Sequence, residues 1–145
     1  MKITITEPAE GEEDEIILRC RHIDEQLLKF IYMLKSGQDR ITALQGGNFF
    51  QVAPKEIYYF EAVDNKVFLY LEKDVYETKL KLYELEERFR GSEFFRASRS
   101  CIVNLAKVKS VSPAFNGRFE ALMKNGERVI ISRQYVPILK EKLGL

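Results

Sequence analysis

Histidine is nearly missing from this 145-residue chain, and its scarcity narrows the chemistry at once. The single copy, His22, falls at a strand-to-helix corner of the pattern, where a structural role is the simpler reading. One histidine and two distant cysteines, Cys20 and Cys101, form no C-x-x-C pair and no helical His/Glu spacing, so no zinc ligand set is available. A Ser-His-Asp relay would have to rely on His22 alone, with no G-x-S-x-G elbow beside it. Neither G-x-G-x-x-G nor G-x-x-x-x-G-K-[ST] occurs, which removes the cradle for a nucleotide phosphate. These absences argue against an enzyme, a small-molecule substrate and a cofactor.

Long apolar runs are absent as well. No stretch approaches the roughly 20 residues that span a bilayer. Residues 1–7 have neither the apolar centre nor the small-residue cleavage site of a secretory leader. A cytoplasmic location is therefore expected, with Cys20 and Cys101 as free, buried thiols inside strand-like segments. With 46% apolar and 31% charged residues, the chain can bury the core of one domain with a small appendage.

Charge is present in quantity but unevenly placed. Residues 1–53 hold nine acids and six bases, and residues 54–93 hold ten acids and seven bases, each a net of −3. Residues 94–145 hold only Glu120, Glu127 and Glu141 against ten Lys and Arg, a net of +7. A basic half attached to an acidic one suggests an acidic partner for the basic end.

Along the chain, residues 2–6 and 15–21 alternate like strands. Asp24 then offers an N-cap for a helix over about 25–36, with Leu27, Leu28, Ile31 and Leu34 on its apolar face and a stop at Ser36-Gly37. From residue 40 the pattern turns almost wholly to β. Strands are expected at 40–44 and 49–52 around a Gly46-Gly47-Asn48 turn. A hairpin of 56–63 with 67–72 turns at Asp64-Asn65-Lys66, and Tyr76-Glu77 add a short strand. A helix over 79–89 follows. Two Asn-Gly dipeptides, at 116–117 and 125–126, separate strands 107–112, 118–123 and 127–131 into a meander. Ser132 is expected to cap a last helix that has Pro137 in its first turn and buries Val136, Leu139 and Leu143.

Residues 94–111 join the two themes. Phe94-Phe95 is followed by Arg96, Ser98, Arg99 and Ser100, then by the apolar run 101–103, then by Lys107 and Lys109. Arginine presents a planar fork of donors and serine a short one, a combination that can hold phosphates or base edges. No helix-turn-helix is available, because every expected helix is separated from the next by strands. Loops on a β scaffold would have to do the reading. Asn104 is better explained as a turn cap, and the tyrosines and phenylalanines of 58–70 as sheet core.

Several stretches together resemble the LytTR-type DNA-binding domains of bacterial transcription regulators. They are Ile57-Tyr-Tyr-Phe-Glu-Ala, Leu85-Glu-Glu-Arg-Phe, Phe95-Arg-Ala-Ser-Arg-Ser-Cys-Ile-Val-Asn-Leu, Lys124-Asn-Gly-Glu-Arg-Val-Ile-Ile-Ser-Arg-Gln-Tyr and Leu139-Lys-Glu-Lys-Leu. The likeness covers about residues 40–145. It implies a mainly β, α+β overall, elongated antiparallel domain with short helices, here preceded by a strand-strand-helix segment over 1–39. It also implies a sequence-specific regulator whose loops enter successive major grooves of double-stranded DNA at direct repeats and bend the duplex.

Transferred by position, Asn65 and Lys66 match one contact region, Ser98, Arg99 and Ser100 a second, and Arg133 and Gln134 a third. The family often has His in place of Ser98 and Arg in place of Gln134, which bears on base preference. Gln134 suits adenine and Arg99 suits guanine, while Lys66, Arg96, Lys107 and Lys109 suit phosphates. Regulators of this response-regulator-like type often carry a phosphate-accepting receiver domain. Residues 1–39 are too few for one, so a stand-alone regulator is expected, resembling those restrained by a small membrane protein. Residues 1–39 would then serve a homodimer, that membrane partner, or simply the fold. The rival reading is a β-rich protein-interaction or RNA-binding module with a basic face.

Overall fold

The computed structural model describes residues 2–35 and 40–145, apart from the side chains of Met33 and Lys35. Its framework is a seven-stranded antiparallel sheet built almost entirely from hairpins. Strands β1 (Ile41–Gln45) and β2 (Asn48–Val52) pair through a two-residue turn at Gly46-Gly47, both with positive φ. Strands β3 (Tyr59–Val63) and β4 (Lys66–Tyr70) do the same through Asp64 (φ 51°) and Asn65 (φ 63°). Positive φ at both central positions matches the right-handed strand twist, and Gly, Asn and Asp are the residues that tolerate it. Strand β5 (Val75–Thr78) lies between β1 and β4, and β6 (Phe94–Ser98) with β7 (Cys101–Asn104) extends the sheet beyond β3. The spatial order is β2-β1-β5-β4-β3-β7-β6.

Strands β8 (Val108–Pro113), β9 (Phe119–Met123) and β10 (Arg128–Ile131) form the expected meander as a separate three-stranded sheet. Asn116 (φ 61°) and Gly117 (φ 73°) both take positive φ between β8 and β9. At the second dipeptide only Gly126 does (φ 92°), in a longer turn where Gly126 N–H donates to the Met123 carbonyl.

Each face of the large sheet has its own core. On one side Ile41, Ile57, Phe60, Leu69 and Ile102 are covered by α2 (Leu82–Arg88) through Leu82, Leu85 and the following Phe89. Phe89 lies with its ring centroid 4.5 Å from Phe94 and 5.9 Å from Phe60. On the other side Tyr59, Phe95, Ala97 and Val103 meet Ala121, Met123, Val129 and Ile131 of the small sheet, together with Val136 and Leu139 of α3 (Val136–Leu143). Leu143, expected on the buried side, is exposed because α3 ends at Gly144 in a left-handed conformation. Among the described residues, no helix is long and apolar enough to cross a membrane.

Helix α1 (Glu25–Lys35) begins as expected, with Leu27 N–H donating to Asp24 Oδ1 at 2.8 Å. The proposed stop at Ser36-Gly37 lies outside the described residues. The helix docks by Tyr32 edge-on to Phe89 (6.1 Å), by Leu28 against Gly91 and by Glu25 near Lys142 Nζ (3.7 Å).

Three expectations fail at the N-terminus. Residues 2–6 and 15–21 form no strands and lie exposed, with Ile5 91% accessible. Alternation supplies a strand's faces, but a strand also needs an edge to pair with, and neither segment has found one. Cys20 is consequently exposed rather than buried. Cys101 is buried, and desolvation followed by the nearby Glu61 carboxylate pushes its thiol up to about 12. A chromogenic disulfide reagent at pH 7.5 should therefore titrate one thiol per chain, Cys20, and reach Cys101 only after denaturation. Phe89→Ala should cost about 3–5 kcal/mol in urea unfolding, as a large buried ring lost from a well-packed site.

Candidate nucleic-acid interface

The large sheet has two ends, and its pairing register decides which loops share one. Glu61 pairs with Cys101 and Val63 with Lys66, so the β3–β4 turn (Asp64-Asn65) and the β6–β7 turn (Arg99-Ser100) leave the same end. Ala62 N–H donates to the Ser100 carbonyl (2.8 Å), tying the two turns together. They are centred about two strand spacings apart, roughly 10 Å.

The third segment arrives from the small sheet. Phe95 pairs with Val103 and Arg96 with Ile102, but Ser98 pairs with Cys101, so Ala97 is the extra residue of a β-bulge. Its carbonyl accepts from Ser132 N–H at 2.8 Å and from Ser132 Oγ at 3.3 Å. This reassigns Ser132. It occupies the capping position, but its hydroxyl bonds across to β6 instead of closing a helix, and residues 133–135 form a 3-10 turn before α3.

That tie sets Arg133 and Gln134 beside Ser98, Arg99 and Ser100. Together with Asn116, Arg118 and Ser132 they line an open groove of about 650 Å³. Three of the lining residues are arginines and none is acidic. Among the described residues, Arg99, Arg118 and Arg133 make no ion pair. A cluster of unpaired guanidinium groups repels itself and is held together only by the scaffold, so it suits a polyanion.

Arg96 is used differently. Its guanidinium lies against Glu86 of α2, with Nη2 2.8 Å and Nε 2.9 Å from Oε2, and its Nη1 donates to the Arg99 carbonyl at 2.7 Å. Its side chain is only 15% exposed. It braces the Arg99 turn from beneath. Ser98 Oγ accepts from Ser100 N–H (3.3 Å) and lies 3.4 Å from Ser100 Oγ, which fixes the turn from above.

Lys107 and Lys109 are not brought to this end. Lys107 follows Asn104 at the opposite end of β7, where its ammonium lies 5.3 Å from the centre of the Tyr58 ring. Lys109 is near the start of β8, four residues before Pro113 and so about 14 Å from the β8–β9 loop. Asn104 is structural: Nδ2 donates to the Ile57 carbonyl (2.8 Å) and Oδ1 accepts from Ala106 N–H (3.1 Å).

Sequence reasoning passed over Asn116 and Arg118. The Asn-Gly signal for a turn was visible, and an arginine directly after it was the available hint that the hairpin tip also carries charge. Gly117 matters here for a second reason. A Cβ on it would lie 3.0 Å from Cδ of Arg133, and its φ of 73° already disfavours a side chain. Gly117→Ala should lower stability by about 1–2 kcal/mol in urea titration, the order of the left-handed penalty for an L-residue.

Comparison with known proteins places the chain by family and fold. The family model of the LytTr DNA-binding domain matches residues 47–144. The sensory transduction protein LytT of Enterococcus faecalis is 32% identical over 109 residues, which is 75% of this chain and 42% of that protein. The transcriptional regulatory protein YpdB of Escherichia coli is 31% identical over 91 residues, 62% of this chain and 37% of that protein. The chain thus spans less than half the length of either regulator. A solved LytTr DNA-binding domain from Bacillus cereus superposes with a TM-score of 0.71 at 30% identity, covering 75% of this chain and all of that domain. Its mostly antiparallel sheets with a few short helices are those found here. The chain belongs to the LytTr DNA-binding domain family.

Proposed function

We propose that the chain is a sequence-specific transcription regulator that binds double-stranded DNA through loops at one end of its large sheet. The observation that carries this reading is the groove in which Arg99, Arg118, Arg133 and Gln134 meet with no carboxylate among its lining residues. The sequence-distant loops 98–100 and 132–134 belong to two different sheets, and their meeting gathers Arg99 and Arg133 at one surface. Arg99 is suited to guanine and Gln134 to adenine in the major groove, with Ser98, Ser100 and Asn65 as short polar contacts. Lys66 and Arg118 are suited to phosphates, Arg96 to holding the Arg99 turn in place. Lys107 and Lys109 fall outside this contact set, since they sit at the far end of their elements.

The names of the relatives, a transcriptional regulatory protein and a sensory transduction protein, favour promoter DNA as the target. Loops entering successive major grooves at direct repeats, with bending of the duplex, are part of the same proposal. The RNA-reader alternative calls for aromatic rings displayed on an open sheet. Tyr58, Tyr59 and Phe60 are buried instead, which favours duplex DNA. Residues 2–34 carry exposed apolar side chains such as Ile5, Ile16, Ile17, Phe30 and Leu34. This supports a role for that segment in a homodimer or in docking a small membrane protein.

Fragments selected from genomic DNA by the purified chain should share a repeated motif. Arg99→Ala should then weaken binding to the selected duplex by about 1–3 kcal/mol and flatten the preference over a scrambled duplex. Equal retention of both duplexes by the wild-type chain would reduce the proposal to non-specific binding. Sedimentation of the wild-type chain beside an Ile16→Asp, Ile17→Asp variant addresses the dimer, and a monomer in both cases removes it.

A further inference from the structure

A second, smaller groove of about 230 Å³ opens at the same end of the large sheet, lined by Asn65, Lys66, Glu77, Thr78, Lys79 and Lys81 among others. Val67 pairs with Thr78, so Lys66 and Lys79 leave the β4–β5 ladder from facing positions one step beyond it. Like charges facing each other across antiparallel strands oppose pairing. The segment that carries Lys79 and Lys81 is nevertheless fixed. Leu80 N–H donates to Oγ1 of the buried Thr78 (3.2 Å), and Lys81 N–H donates to Glu84 Oε1 (3.2 Å). Glu77 is the one carboxylate of the lining. Among the described residues, neither it nor Glu84 forms an ion pair with any of the three lysines, all of which are exposed.

We propose that Lys79 and Lys81, together with Lys66, form a track that holds the phosphate backbone of the same duplex, beside the base-reading groove. This rests on the DNA-binding reading above and adds contacts that the family resemblance did not supply. Scale decides where the track falls. The space between β4 and β5 lies about three strand spacings, roughly 14 Å, from the Arg99 turn. The major groove is about 12 Å wide. With Arg99 in the groove, the lysines stand over the flanking strand and not over its floor. Ammonium groups on flexible stems also suit phosphates, being point charges without base preference.

The test uses the full chain, fluorescence anisotropy across a salt series, and two labelled duplexes, one selected and one scrambled. Lys79→Gln with Lys81→Gln should weaken binding to both duplexes alike and lower the slope of log K against log salt by about 1.8, two phosphate contacts at about 0.9 each. The ratio between the duplexes should stay within about twofold of wild type. The melting temperature should hold or rise, because facing like charges are being removed. Lys73→Gln, on the turn at the opposite end of β4 and β5, should leave the slope unchanged. An unchanged slope in the double variant overturns the track, and so does a loss confined to the selected duplex. If wild type shows no preference between duplexes but the double variant still loses slope, sequence-specific reading falls and the track stands.

Discussion

One carbonyl, that of Ala97, shared between the two sheets through hydrogen bonds from Ser132, organises the functional end of this molecule. The bulge at Ala97 removes a residue from the β6–β7 ladder and leaves its carbonyl needing a partner; Ser132 supplies one with its backbone N–H and its hydroxyl. A buried carbonyl left unpaired would cost on the order of 1–3 kcal/mol, so the bulge is tolerable only with the small sheet docked. The same contact brings Arg133 and Gln134 beside the Arg99 turn. Structural necessity and site assembly are therefore a single event.

Charge is distributed around that junction in two ways. Arg96 is satisfied by Glu86 and by the Arg99 carbonyl, and its largely buried position makes the guanidinium a strut between α2 and the turn. Among the described residues, Arg99, Arg118 and Arg133 have no such carboxylates. On the outer face of the small sheet, by contrast, Arg128 is paired with Glu120. Carboxylates thus pair with Arg96 and Arg128 on the scaffold, while the groove lined by Arg99, Arg118 and Arg133 has none among its lining residues. A self-repelling surface of this kind lowers stability slightly and raises attraction for a polyanion at long range.

The two cores explain why loops can carry this charge without moving apart. Phe60, Phe89 and Phe94 lock α2 to one face of the large sheet, and Met123, Ile131 and Leu139 lock the small sheet and α3 to the other. Helix α1 joins the first core through Tyr32, near the loop that precedes β6 and hence away from the basic end. The segment before it contributes no buried side chain among the described residues, so it leaves both cores intact and its apolar groups accessible.

Local chemistry decided the hairpins, and they were legible in the letters. Asp64-Asn65, Gly46-Gly47 and Asn116-Gly117 accept positive φ at both central positions, and alternation on either side sets which face is buried. Asp24 announced its helix for the same reason, since a cap bonds three residues away. Arg99 and Arg133 were legible as charges beside apolar strands. Their meeting was not, because it depends on a bulge carbonyl finding Ser132, 35 residues away, across two sheets. Arg118 and the dispersal of Lys107 and Lys109 to the far end were hidden likewise. The strand pattern of 2–6 and 15–21 misled because alternation describes what a strand could bury, whereas pairing requires an available edge. Turn geometry is set by neighbours in sequence; convergence is set by register and by which unpaired backbone group remains to be satisfied.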